Sequence, residues 1–248
     1  MPLTAYDRTR YNRQMILDEW GDEGQARLKS ANVFIAGAGG LGSPVAIYLA
    51  AAGVGTLRIC DSDVVELSNL NRQILHSDAR VGEPKAESAG KTLRAFNPTI
   101  KVVTICNTLD ESNAEQIIGR ADVLVDCLDN YESRYILNDF SIQNHIPLVH
   151  GAIWGWMGQI SFLSPPETPC LQCLVPSPPA FGTFPAVGAT SGVLGSLQAI
   201  EVLKYLTGIG TNLKNTLLIL DGESMSFTPI LIRRDISCPA CSHLYGSS

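Results

Sequence analysis

Short apolar runs alternate with longer helical stretches through the first 150 residues of the chain. Asp22–Ser30 reads as a short helix leading into a strand at Asn32–Ala36. The small, apolar stretch Gly42–Ala52 suits a helix packed closely on a sheet. Thr56–Cys60 is a second strand and Asp61–Gly82 a polar loop. Pro84 opens a helix reaching about Phe96, because proline lacks only an amide that the first helical turn leaves unbonded. Lys101–Cys106 alternates apolar β-branched residues and predicts a third strand. Glu111–Arg120 predicts a helix, Ala121–Cys127 a buried strand, Tyr131–Asn144 a helix and Pro147–His150 a strand. Strands alternating with helices imply a parallel sheet covered on both faces.

After Gly151 the pattern changes. Gln159–Leu163 is a strand with no helix after it, and Cys170–Gly188 is loop-like. A helix runs from about Thr190 to Leu206, and Leu217–Asp221 and Ser226–Ile232 are strands joined by a turn at Gly222. The expectation is an α/β chain with a mostly parallel sheet and an antiparallel C-terminal extension. One domain covers 1–248, with a helical arm over 1–30, a core over 31–150 and the extension over 151–248.

Charge narrows the function classes. A net charge of -6 and a pI near 5.2 disfavour sequence-independent nucleic-acid binding, which needs a basic face. The first thirty residues carry Asp7, Arg8, Arg10, Arg13, Asp18 and Glu19, unlike a signal peptide. No apolar run is long enough to span a bilayer, so a cytoplasmic protein is expected. Four of the seven cysteines form two C-x-x-C pairs, Cys170/Cys173 and Cys238/Cys241. This is the spacing of a tetrahedral zinc knuckle pair, and four thiolates leave no open position, so a structural Zn²⁺ is expected. Cys60, Cys106 and Cys127 lie in or end apolar runs and read as small core residues. His76, His145, His150 and His243 read as structural or tail residues.

The chemistry-bearing stretch begins directly after the first strand, at Gly37-Ala38-Gly39-Gly40-Leu41-Gly42. A strand, a glycine turn and a helix start make a Rossmann-like phosphate cradle of backbone N–H groups at the positive end of a helix dipole. Taken alone, the loop favours an NAD or FAD enzyme. Asp61 ends the second strand, where a carboxylate accepts bonds from a ribose. The segment Ser68-Asn69-Leu70-Asn71-Arg72-Gln73 then adds cationic and amide groups that NAD binding does not need, and Lys85 starts a helix at the dipole end unfavourable to a cation. Asp129 follows a buried strand, where ligands of open parallel sheets bind, and is placed for Mg²⁺ on a triphosphate; its alternative role is capping the next helix.

With Arg10-Tyr11-Asn12-Arg13-Gln14, Gly195-Ser196-Leu197-Gln198-Ala199 and both cysteine pairs in the same order, the chain resembles the ThiF/MoeB/HesA family over nearly its whole length. The resemblance implies ATP-dependent adenylation of the C-terminal glycine of a small ubiquitin-fold sulfur-carrier protein ending in Gly-Gly. Asp61 would bind ribose, Asn69, Arg72 and Lys85 phosphates, and Asp129 Mg²⁺. Arg13 would serve the partner subunit of a homodimer, and the extension would bind the carrier. The candidate catalytic groups are Arg13, Arg72, Lys85 and Asp129. The candidate nucleotide-binding set is Gly37, Gly39, Gly40, Gly42, Asp61, Asp63, Ser68, Asn69, Leu70, Asn71, Arg72, Gln73, Lys85, Asp129 and Asn130.

One departure matters. Many members carry a cysteine in the loop before the last long helix, and Pro176–Gly188 has none. The expectation is therefore an enzyme that stops at the acyl-adenylate, with sulfur arriving from a separate donor such as a sulfurtransferase or sulfide. Cys127, nearest to Asp129, is expected to be buried and inert. The rival readings are an NAD-dependent oxidoreductase, a non-catalytic AMP-sensing module, and an ATP-dependent enzyme activating a carboxylate on modified tRNA.

Overall fold

The run Val33-Phe34-Ile35-Ala36 is apolar without alternation because both faces of its strand are covered. Val33 and Ile35 point into one core with Leu28, Leu49, Leu93 and Val202. Phe34 and Ala36 point into a second core with Ile118, Leu137 and Leu171. The chain, in the computed structural model, is described over residues 2–178 and 184–245.

The first half comprises α1 (Ala5–Arg10), α2 (Asn12–Met15), α3 (Gly21–Ser30), β1 (Asn32–Ala36), α4 (Gly42–Ala52), β2 (Thr56–Cys60), α5 (Lys85–Phe96) and β3 (Lys101–Ile105). It continues through α6 (Ala114–Ile118), β4 (Val123–Asp126), α7 (Tyr131–Asn144) and β5 (Leu148–Trp154). The extension comprises β6 (Met157–Leu163), α8 (Leu171–Leu174), α9 (Gly188–Thr207), β7 (Thr216–Asp221) and β8 (Ser226–Leu231). All eight strands join one sheet in the order β3-β2-β1-β4-β5-β6-β7-β8. Pairing is parallel from β3 to β5 and antiparallel from β5 to β8. This is the Rossmann-like α/β sheet with an antiparallel extension that the pattern predicted.

The differences are local. β5 runs on to Trp154, four residues past its expected end, because β6 pairs with its whole length across a tight turn at Gly155-Trp156. α6 is shorter than expected, because the Asp110 carboxylate accepts from the Ser112 and Asn113 amides and holds 110–113 as a turn. The loop-like stretch 170–188 contains α8, and its residues 179–183 lie outside the described residues. Among the described residues no helix is long and apolar enough to cross a membrane.

The N-terminal arm is pinned to this sheet. Asp7 is buried, and its Oδ2 accepts from Lys29 Nζ at 2.6 Å and from the Thr4 amide at 2.7 Å. Tyr11 occupies the space a side chain at Gly53 would need and bonds Asn97. Gln14 donates to Gln25 Oε1 and Ala52 O. With Tyr11 and Gln14 turned inward, Arg13 is left exposed on the outer side of α2.

Burial alone would raise the Asp7 pKa, but Lys29 and Thr4 outweigh it and hold it at about 2, below the ordinary 3.8. A carboxylate lowered in the folded state stabilises above its unfolded pKa and loses that contribution as pH falls through its folded one. Asp7→Asn should therefore cost about 2 kcal/mol at neutral pH. The gap to wild type, read by denaturant unfolding, should close between pH 3.8 and about 2. A gap that stays constant across that window would reject the ion-pair account.

Candidate active site

β1 lies between β2 and β4, so the chain leaves it in one direction and returns on its other side. The carboxyl ends of parallel strands open a crevice at such a reversal. A cavity of about 620 Å³ occupies it. Two glycines shape its floor by close approach. Gly37 has φ +98°, and a Cβ there would stand 2.5 Å from the Cys127 carbonyl oxygen. A Cβ at Gly42 would stand 2.0 Å from the Gly37 oxygen. Gly39 and Gly40 face the cavity itself. The loop leads into α4, whose N-cap residue Leu41 makes no side-chain cap. The Ser43 amide closes the turn on Gly39 O and Pro44 has no N–H, so it is the loop ahead of the helix, with the positive end of the helix dipole behind it, that faces the crevice.

Asp61 anchors the loop: its Oδ2 accepts from the Ala38 amide at 2.8 Å and its Oδ1 from the Asp63 amide at 2.9 Å. Burial pushes its pKa up, and these bonds and Lys85 only partly offset the rise. Lys85 is buried at the start of α5, with Nζ 2.8 Å from Asp63 Oδ2 and its amide donating to Asp63 O. Arg72 donates to Ser68 O and Asn71 Oδ1 at the cavity wall. Gln73 is buried there, and its Oε1 has no partner, an orphaned acceptor suited to a ligand hydroxyl or N–H.

Of the residues read from the sequence, Gly37, Gly39, Gly40, Asp61, Asp63, Arg72, Gln73, Lys85, Asp129 and Asn130 all line this one cavity. Gly42 lies just behind it. Ser68, Asn69, Leu70 and Asn71 are not among the lining residues. The Asn69 side chain turns back to accept from the Glu66 amide at 3.2 Å, so this segment shapes the turn that presents Arg72. Arg13 does not line the cavity of its own chain. Asn130 is the cap of α7, accepting from the Ser133 amide at 2.9 Å. Asp129 is thereby freed: it is exposed to the cavity and carries no hydrogen bond or ion pair among the described residues. A free carboxylate is the donor chemistry a hard divalent cation takes.

Several residues were not singled out from sequence. Asn107, Thr108 and Leu109 line the cavity from the end of β3, and the rule that strand ends bind ligands would have found them. Trp154 and Phe184, with ring centroids 5.0 Å apart, stand at the wall formed by the extension. Arg134 reaches the cavity from α7. The histidine expectations hold for His76, which bonds Ser88 and Ala38 O, and for His150, fully buried on Asp126. Cys127 is buried, which raises its thiol pKa well above the ordinary value.

Cys170, Cys173, Cys238 and Cys241 converge, with all four Sγ atoms within 4.8 Å of one another. Three of the separations are 3.8, 3.6 and 3.5 Å. Zn–S bonds of about 2.3 Å in a tetrahedron require sulfurs about 3.8 Å apart, so the set fits such an ion. His243 is not part of the cluster.

Comparison with known proteins gives a consistent picture. The ThiF family model matches residues 11–240. The SAMP-activating enzyme E1 of Haloferax volcanii is 44% identical, over 97% of this chain and 91% of the relative. The sulfur carrier protein adenylyltransferase of Thermus thermophilus is also 44% identical, over 97% of this chain and 93% of the relative. Among solved structures, E. coli MccB crystallised with ATP superposes with a TM-score of 0.83 at 24% identity, covering 97% of this chain and 76% of that one. At that identity the likeness is one of fold.

The glycine geometry separates folding from binding. Gly37→Ala places a methyl group against backbone at a left-handed φ and should lower the melting temperature sharply. Gly39→Ala meets only the Gln73 side chain, at 3.5 Å, and should leave stability unchanged. It should nonetheless weaken binding of a nucleoside triphosphate by about tenfold or more, which is about 1.4 kcal/mol. Calorimetric titration and thermal melts read both. A Gly39→Ala chain that is stable and binds normally would remove phosphate from this loop.

Proposed function

The chain belongs to the ThiF family, and we propose that it adenylates the C-terminal glycine of a small ubiquitin-fold sulfur-carrier protein. ATP is the donor and pyrophosphate the leaving group. The observation that carries this reading is the shared cavity of the glycine loop, Asp61, Arg72, Lys85 and the unpaired Asp129. The names of the two relatives at 44% identity support the same activity.

The reaction needs little acid–base chemistry. A carboxylate is ionised at neutral pH, and its oxygen attacks the α-phosphorus as the bond to pyrophosphate breaks. What is required is in-line positioning and neutralisation of phosphate charge. In this reading Asp61 receives the ribose, Arg72 and the loop amides meet phosphates, and Lys85 exchanges Asp63 for phosphate. Asp129 would hold Mg²⁺, which supplies charge neutralisation on the leaving group.

Charge balance supports help from outside the chain. The cavity is lined by three cations, Arg72, Lys85 and Arg134, and by three carboxylates, Asp61, Asp63 and Asp129. Asp63 already faces Lys85, and Asp126 faces Arg134. A polyphosphate thus needs the metal and a further cation, and Arg13, held outward on α2, fits a role in the partner subunit of a homodimer. With no cysteine in 176–188 and Cys127 buried, the product is the acyl-adenylate, and a separate donor supplies sulfur.

ATP–pyrophosphate exchange tests this directly. Exchange should appear only with a Gly-Gly-ended carrier and should fall by about a hundredfold or more in Lys85→Met. Mixing Arg13→Ala with Asp129→Ala subunits should restore part of it. Absence of exchange with every such carrier would reject the activity, and no rescue despite subunit exchange would reject Arg13 in trans.

We also propose that the four cysteines hold a structural zinc. Metal analysis should find about one zinc per chain, and Cys238→Ser should lose it together with several kcal/mol of stability. A fully active, metal-free chain would contradict the assignment.

A further inference from the structure

Beneath the cavity, three ionisable side chains that the proposed chemistry does not use form one buried set. Asp126 and His150 are fully buried, and Arg134 is 4% exposed. Asp126 and His150 are direct neighbours in the parallel register of β4 and β5. Their side chains meet at 2.7 Å, between His150 Nδ1 and Asp126 Oδ2. On its other side, His150 Nε2 stands 3.1 Å from the Gln159 amide nitrogen. An amide nitrogen only donates, so Nε2 accepts and the proton sits on Nδ1, directed at Asp126. Arg134 Nε stands 3.4 Å from Asp126 Oδ1.

Burying such charges is costly, and an apolar set of equal volume would serve stability as well. The bonds lead instead toward one turn. Asp126 Oδ1 accepts from the Leu128 amide at 3.1 Å. Arg134 Nη2 donates to the Leu128 carbonyl and to Gly151 O. Both polar backbone groups of the residue preceding Asp129 are therefore held by this set. On the far side, Asn130 is held by its cap bond to Ser133, and Ser133 bonds Leu109 O. Gln198 ties the Asp126 carbonyl to that of Val149. Asp129 is the free member between two anchored neighbours.

We infer that Asp126, His150 and Arg134 act together as positioning residues, fixing the Leu128 peptide so that Asp129 is held toward the cavity. The functional value of that placement rests on the proposed role of Asp129 as the Mg²⁺ ligand. A ligand whose backbone is already fixed gives up less freedom when the metal arrives, and partners behind a metal ligand are typically worth about 10–100-fold in affinity. Burial tends to raise the Asp126 pKa, yet the Arg134 charge and the His150 bond bring it below the usual carboxylate range, so the set retains its charge.

The test uses the full chain with His150→Leu, His150→Asn and Arg134→Lys, beside Asp129→Ala. Asparagine keeps an N–H for Asp126 and leucine does not, while lysine keeps the charge but not the fork. The first readout is amide exchange in the metal-free protein. Leu128, whose amide depends on the Asp126 side chain, should exchange severalfold faster in His150→Leu and Arg134→Lys and near the wild-type rate in His150→Asn. The second readout is Mn²⁺ binding with a non-hydrolysable ATP analogue, followed by electron paramagnetic resonance. It should weaken by about tenfold or more in the same two variants. Unchanged exchange at Leu128, acceleration spread evenly over β4, β5 and α7, or no difference between asparagine and leucine would overturn the positioning role. So would unchanged Mn²⁺ binding in His150→Leu and Arg134→Lys where Asp129→Ala abolishes it. If Asp129→Ala itself binds Mn²⁺ normally, the metal assignment falls instead, and exchange at Leu128 still decides the positioning.

Discussion

The steric constraint on which the site depends is the seating of the β1–α4 turn against the end of β4. Gly37 and Gly42 let three stretches of backbone approach more closely than any side chain would permit. With the turn seated there, Ala38 reaches Asp61 through its amide and His76 through its carbonyl. That residue then joins the ends of β1 and β2 to the polar loop that carries Arg72. The same seating brings Cys127 under the turn, which places Asp129 on the opposite wall. The glycine loop and the free carboxylate thus face one volume because the backbone packs, before any ligand contributes.

The electrostatics follow a second rule, that buried charges are kept in pairs. Lys29 with Asp7, Lys85 with Asp63 and Arg134 with Asp126 each leave little net charge inside the chain. These pairs are not equivalent. Asp63 is 65% exposed in its side chain, so Lys85 can part from it at modest cost. Asp126 is fully buried, so Arg134 cannot leave it without stranding a charge. Exposure of the acidic partner therefore separates a cation free to act from one that holds structure.

Much of this was legible in the chain because it is local. The Val33-Phe34-Ile35-Ala36 run reads as a strand, the alternation of strands with helices implies cover on both faces, and the glycines after the run mark the turn. The choice left open between Asp129 and its neighbour as helix cap was settled by geometry: Asn130 caps, and Asp129 is free. What escaped depends on register and on contacts distant in sequence. His150 looked like an ordinary strand-end histidine, since nothing in the run Pro147–His150 states that it stands opposite Asp126. The Asn69 side-chain oxygen closes its own turn by accepting from the Glu66 amide, a bond that residue type alone does not announce. β5 continues past His150 through Gly151, whose missing side chain makes room for Gln198, a contact 47 residues away in sequence.

The cysteine cluster has a topological consequence. Cys170 and Cys238 lie 68 residues apart, and α9, β7 and β8 all fall between them. β8 is the outermost strand of the sheet, exposed along its length, and would be the natural place for the sheet to unravel. The chain beyond it returns instead to Ile142 on α7, in the parallel half, where the cluster sits. A tetrahedral ion there would close the extension into a ring. Tension applied at the carboxyl end would then pass through metal–sulfur bonds to Cys170 and Cys173 at α8, bypassing the edge hairpin.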